Sequence, residues 1–230
     1  MSVFAIADLH LSLGEKKPMD IFRGWANYVE RLTENWNSVV SDTDTVIVPG
    51  DISWAMKLEE TETDFRYIND KLSGSKIFLK GNHDYWWNTL GKMNRYLSEK
   101  GLDRIRILNN NAFLVEGISV VGTRGWINDG TEEADLKVLN REEGRLRMSA
   151  AEGVKLGGEL TAFLHYPPLY GGETNEFILR VIKEFGIKRC CYGHIHGRAL
   201  HEKAFIGEYE GTEYRMISAD YLGFMPVKIN

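Results

Sequence analysis

The sequence predicts an α/β protein of two mixed β-sheets with helices outside them. Three observations carry that expectation. Short apolar, β-branched runs recur, each closed by a small residue and then a polar one, as strands buried on both faces require. Amphipathic helical patterns separate the early runs. Further strand patterns follow in the middle of the chain without helices between them, which calls for a second sheet. At 230 residues, 43% hydrophobic and 27% charged, one domain over residues 1–230 is expected, with a core that folds without staples.

The elements follow in order. Residues 3–7, 45–48 and 76–79 read as the first three strands. Between the first two, Trp25, Tyr28, Val29, Leu32, Trp36, Val39 and Val40 recur at helical spacing and make one apolar face. A second helix is expected over residues 58–72 and a third after Asn88. Residues 106–108, 112–115 and 118–121 look like short successive strands, with Asn109, Asn110 and Gly117 at the turns. The charged stretch 131–153 reads as helical, and its segment 141–147, mixed in sign, as a solvated helix face. Residues 161–164 and 187–192 are later strands, separated by a helix that Thr174 caps and Gly186 ends. Residues 205–209 and 213–217 alternate like a solvated hairpin around Glu210-Gly211.

Composition excludes several functions. No run approaches the roughly 18 apolar residues of a membrane span. The first eight residues lack the basic lead-in of a secretory signal. Cys190 and Cys191 are adjacent and cannot staple distant segments, so a reducing, cytoplasmic setting is expected. A net charge of −5 without a basic arm disfavours a protein that grips long nucleic acid. No feature calls for an obligate protein partner.

The polar residues are distributed unevenly. Asp8-Leu9-His10 ends the first strand, Gly50-Asp51 the second and Gly81-Asn82-His83-Asp84 the third. His165 and Gly193-His194-Ile195-His196 end two later ones. Ligands of α/β sheets gather beyond the carboxyl ends of strands, so these five tips are expected around one crevice. In extended segments, residues two apart point to one side, so Asp8 with His10, and His194 with His196, would each aim two donors at one place. Asp8, His10, Asp51, Asn82, His165, His194 and His196 form a mixed nitrogen and oxygen set. It is too nitrogen-rich for calcium and suits manganese first, with iron or zinc also fitting. Seven ligands exceed what one such ion takes from protein. Two divalent transition-metal ions sharing a carboxylate are therefore expected, with Asp51 as the bridge.

Singly, each block has a bland reading as a turn or a helix cap. In this order the blocks resemble the calcineurin-like metallophosphoesterases, whose signature is Asp-x-His, Gly-Asp, Gly-Asn-His-Asp/Glu, a later His and Gly-His-x-His. The resemblance covers about residues 1–200 and implies a four-layer αββα sandwich with a two-metal centre. It also implies that Asp8, His10 and His196 hold the first metal and Asn82, His165 and His194 the second, with Asp51 bridging. One position departs from the pattern: many relatives carry an acid or Asn three residues after the bridging Asp, and here that residue is Trp54. The usual partner of His83 is therefore missing, and Asp84 is the candidate to stand in for it.

The chemistry expected is hydrolysis of a phosphomonoester or phosphodiester by in-line attack of a metal-bridging hydroxide, with His83 protonating the leaving oxygen. Arg124 is a candidate to grip a substrate phosphate. Trp54 and Trp126 are candidates to shelter its organic part. The substrate expected is a small organic phosphate ester or diester. The alternative is a catalytically silent scaffold of the same fold, which should show a broken ligand set.

Overall fold

The structure, a computed structural model, describes residues 1–127 and 132–230. Its strands are β1 (Val3–Ala5), β2 (Thr45–Pro49), β3 (Ser75–Leu79), β4 (Ile105–Ile107), β5 (Phe113–Val115), β6 (Ile118–Thr123), β7 (Glu159–Leu164), β8 (Leu169–Tyr170), β9 (Glu173–Thr174), β10 (Arg189–Tyr192), β11 (Gly207–Tyr209), β12 (Thr212–Met216) and β13 (Val227–Lys228). The helices are α1 (Tyr28–Val39), α2 (Glu62–Lys71), α3 (Leu90–Glu99), α4 (Glu133–Leu156), α5 (Glu176–Glu184) and the single turn α6 (Arg198–His201).

The first sheet has the order β13-β1-β2-β3-β4, and the second β11-β12-β10-β7-β6-β5. Both are mixed. β1 to β4 run parallel with β13 antiparallel at the edge, and β12, β10, β7 and β6 run parallel with β11 and β5 antiparallel. β8 and β9 form a separate hairpin.

Side-chain alternation decides the layers. Val3, Ala5, Ile47 and Ile77 from the first sheet meet Val120, Phe163 and Cys191 from the second. Their sequence neighbours Phe4, Val46 and Phe78 point outward, onto Trp36 of α1, Phe65 of α2 and Met93 of α3. On the far side, Val121, Ala162, Cys190 and Tyr192 pack against Leu146 of α4 and Ile178 and Val181 of α5. The result is the four-layer αββα sandwich. It also explains the adjacent cysteines, since Cys191 lies between the sheets and Cys190 under the helices.

Several expectations change in detail. The second helix opens as a 3-10 turn over Leu58–Thr61 before α2. Asn175, not Thr174, caps α5, its Oδ1 accepting the amide of Ile178 at 3.2 Å. The stretch 205–217 forms the expected hairpin, β11 antiparallel to β12 around Glu210-Gly211, but it is not wholly solvated: β12 lies between β11 and β10 and buries Thr212, Tyr214 and Met216. Its alternation marks one face packed under α5. Of the stretch 131–153, residue 131 lies outside the described residues. Within α4, Glu142 is fully buried, so 141–147 is not wholly a solvated face. No helix among the described residues is long and apolar enough to cross a membrane.

The parallel strands of both sheets end in the loops that carry the ligand candidates. The two loop sets are tied together where Ala7 donates its amide to Ile217 O at 2.8 Å and accepts that of Ala219 at 3.0 Å.

Candidate metal centre

Four of the expected ligands sit on strained backbone. Asp8, His10, Asp51 and His194 have φ of 64°, 45°, 51° and 72°, a region that non-glycine residues rarely occupy. The expectation that Asp8 and His10 converge by strand alternation is thus wrong in its cause. Left-handed turns just beyond the strands bring them together. These turns are held by amide bonds between loops, from Asp8 N to Gly50 O at 3.0 Å and from His10 N to Asp51 O at 2.8 Å. Two glycines permit the approach. A Cβ on Gly50 would fall 2.6 Å from Gly81 Cα, and one on Gly81 would fall 2.1 Å from Asp51 Oδ1.

All seven ligand candidates meet in one crevice. Asp8, His10 and His196 form one group and Asp51, His165 and His194 another, with ligand atoms within 4.8 Å of one another in each. His194 and His196 therefore serve different groups rather than one place. Asn82 joins the second group, its Oδ1 lying 2.6 Å from His165 Nε2. Asp51 Oδ2 is 3.7 Å from His10 Nε2 and 3.5 Å from His165 Nε2, between the two groups.

Three of the four imidazoles are neutral. The carbonyl of Pro49 can only accept, so at 3.2 Å it takes the Nδ1 proton of His165 and leaves Nε2 with a lone pair. That lone pair faces Asn82 Oδ1 and, at 3.2 Å, His194 Nδ1. Burial pushes the pKa of His10, His165 and His194 down to about 3, so all three are neutral donors of lone pairs. Burial, with Asp51 nearby, pushes the Asp8 carboxyl well above the usual range. His196 behaves differently. Burial alone would lower it, but Asp8, Asp220 and Asp51 raise it to about 9. Buried lone pairs and carboxylates converging in this way are the arrangement that a pair of divalent cations neutralises.

His83 lies at the edge of this set. Its amide donates to Asp51 Oδ1 at 2.8 Å, and its ring lies 5.8 Å from that of His10. The ring Nδ1 is buried without a partner among the described residues. Trp54 packs against it instead, ring centres 4.4 Å apart, and also stacks on His10 at 5.1 Å. Asp84 does not stand in for the missing acid. Its carboxylate accepts the amides of Gly81, Asp51 and Ile52 at 2.7–2.9 Å and the indole N–H of Trp86 at 3.1 Å, so it clamps the β2 and β3 loops together.

The candidates for substrate contact are placed nearby. Trp126 lines a cavity of about 750 Å³ with Ile127, Tyr166, Tyr170 and His194. Its indole N–H donates to Asp135 at 2.9 Å. Arg124 lies over the Trp126 ring at 4.6 Å and 3.8 Å from Glu142.

Sequence reasoning misses three residues near the centre. Asp220 accepts from His196 Nδ1 at 2.9 Å and from the Gly197 amide at 2.9 Å, aiming His196 Nε2 inward. It also lies 3.3 Å from His201, which thereby has a structural place. Trp25 stands edge-on to His10 and His196, and Tyr166 lies against His194 with ring centres 4.1 Å apart. In sequence Trp25 is only part of a helix face, and Asp220 carries no motif.

Comparison with known proteins agrees with this geometry. No curated protein is detectably similar to the chain. Among solved structures, TT1561 of Thermus thermophilus is similar at a TM-score of 0.58 and 13% identity, over 99% of this chain and 97% of that one. The protein of unknown function AQ665 from Aquifex aeolicus is similar at a TM-score of 0.51 and 16% identity, over 99% of this chain and 95% of that one. At those identities the likeness concerns the fold. The model of the calcineurin-like phosphoesterase family matches residues 1–198, and the chain, with its strand-tip ligand candidates gathered in one crevice, belongs to the calcineurin-like phosphoesterases.

Proposed function

We propose that the protein is a dinuclear metal-dependent phosphohydrolase acting on a small organic phosphomonoester or phosphodiester. One observation carries this reading: Asp8, His10 and His196 on one side and Asn82, His165 and His194 on the other flank Asp51, whose Oδ2 reaches toward both. Asp8, His10 and His196 would hold one divalent cation and Asn82, His165 and His194 the other, with manganese favoured and iron or zinc alternatives. Such a pair, when bound, supplies a water of near-neutral pKa and positive charge for the phosphoryl oxygens.

The chain's own residues do the rest. Asp220 holds the Nδ1 proton of His196, and the Pro49 carbonyl that of His165, so each ring keeps one nitrogen for a cation. His83, beside the ligands but outside both groups, donates a proton to the leaving oxygen. Trp54 orients it by ring packing where relatives use a hydrogen bond, so the ring is aimed without a carboxylate behind it. The cavity of about 750 Å³ beside His194 is roomy enough for the organic part of the ester, which would rest on Trp126, Tyr166 and Tyr170.

The test is turnover of an aryl phosphodiester and an aryl phosphomonoester by protein purified without chelator and supplied with manganese, alongside elemental analysis. Metal at two equivalents with turnover of either ester supports the reading. Bound metal without turnover of any ester would favour the silent scaffold.

A further inference from the structure

A second cavity lies on another side of Arg124. It measures about 420 Å³ and is lined by Lys80, Asn88, Asn109, Asn110, Arg124 and Arg145 among others. Three cations border it, and their charge is not balanced. Two of them, Arg145 and Arg124, share the carboxylate of Glu142, fully buried, 2.8 Å from Arg145 Nη1 and 3.8 Å from Arg124 Nη2. The second Glu142 oxygen is taken by the Thr123 hydroxyl at 2.6 Å. The half-buried ammonium of Lys80 has no carboxylate within 4.0 Å among the described residues. The Nε of Arg124 is buried and has no acceptor among the described residues. An orphaned buried guanidinium N–H is costly, and a lysine ammonium with no carboxylate beside it leaves the hollow in excess positive charge, so the two together point to a missing acceptor.

The cavity shares walls with the metal centre. Lys80 directly precedes Gly81-Asn82-His83. Arg124, from the other side, accepts the amides of His165 and Tyr166 on its carbonyl at 3.2 and 2.9 Å. We infer that this cavity is an anion site for a phosphate or carboxylate group, bound by Lys80, Arg124 and Arg145 and by the asparagine amides. Arginine's planar fork and a lysine point charge are the usual donors for such oxyanions. The anion has two possible sources: a second acidic group on the substrate, or free phosphate. The first source rests on the phosphoesterase reading, whereas the site itself does not.

The experiment has two arms. In the first, protein stripped with chelator and dialysed is titrated calorimetrically with sulfate. Saturable one-to-one binding is expected, weakened about tenfold or more in Lys80→Met and in Asn109→Asp, the worth of one charge-assisted contact. Unchanged melting temperatures without sulfate establish that a variant is folded, and either variant suffices if the other fails to fold. Absence of saturable binding in the natural protein, or equal affinity in the folded variants, overturns the site. In the second arm, manganese-loaded protein is given phenyl phosphate and 4-carboxyphenyl phosphate. A KM lower for the carboxylated ester, with that advantage lost in Lys80→Met, assigns the anion to the substrate. Equal KM values with sulfate altering both reactions assign it to free phosphate. Sulfate binding without turnover of either monoester or of an aryl phosphodiester removes the phosphoesterase reading and leaves the anion site standing.

Discussion

The two ligand groups are similar in composition and different in support. Behind Asp8, His10 and His196 stand aromatic rings, Trp25 and Trp54, and one carboxylate, Asp220. Behind His165 in the second group stands a backbone carbonyl, that of Pro49, and no carboxylate. The consequence is electrostatic. Burial lowers all of these rings, but Asp8, Asp220 and Asp51 override it at His196 and raise that ring to about 9, while burial takes His165 and His194 down to about 3. At neutral pH the first group therefore meets a cation with a proton to release, and the second does not. Burial sets the common trend among these imidazoles, and the carboxylates around His196 override it.

The most severe way to break the comparison is to remove what the groups share. Asp51→Asn should abolish turnover and lower metal content at both groups, read by elemental analysis; retained activity would count heavily against a bridging role. Next in size is His83→Ala, which keeps both groups but removes the proposed acid. The expected loss in kcat is about 10²–10⁴-fold, with metal content unchanged. A pH–rate profile identical to that of the natural protein would remove His83 from the reaction. Asp220→Asn separates the groups. Metal affinity at the first should fall about 10–100-fold while the second holds, which a two-site metal titration resolves. Equal weakening of both would mean that Asp220 supports the fold rather than His196.

The smallest effect lies away from both groups, at Lys76. It is fully buried on β3, donates to the Leu72 carbonyl, and burial pushes its pKa down to about 7 from an ordinary 10.5. Between those values the unfolded chain binds more protons than the folded one, so this residue makes stability rise as pH rises from about 7 toward 10.5. Lys76→Met should flatten that part of the melting-temperature profile and leave metal binding as it was. An unaltered slope would show that Lys76 stays charged where it is.

Much of the centre was legible because ligand chemistry restricts residue type and the strand tips restrict position. Asp8, Asp51, His165 and the Gly-His-x-His block stood out against their apolar lead-ins. The geometry that joins them was not legible, since alternation in extended chain aims residues two apart to one side, whereas φ values of 45–72° turn the ligands inward. Asp84 shows the same limit. As a residue type it could cap a helix or face His83, and only the approach of the β2 loop makes it a clamp on three amides.

Local pattern thus determined the strands, most of the helices, the two-sheet class and the candidate ligands, because periodicity and donor chemistry are properties of neighbours along the chain. Tertiary structure alone decided that Asp220 stands behind His196, 24 residues away, that Glu142 sinks below a charged helix face, and that Lys80 and Arg124 share a hollow. Each of these depends on which charge meets which across the sandwich, and the energy of such a meeting is set by separation and burial in space rather than by order in sequence.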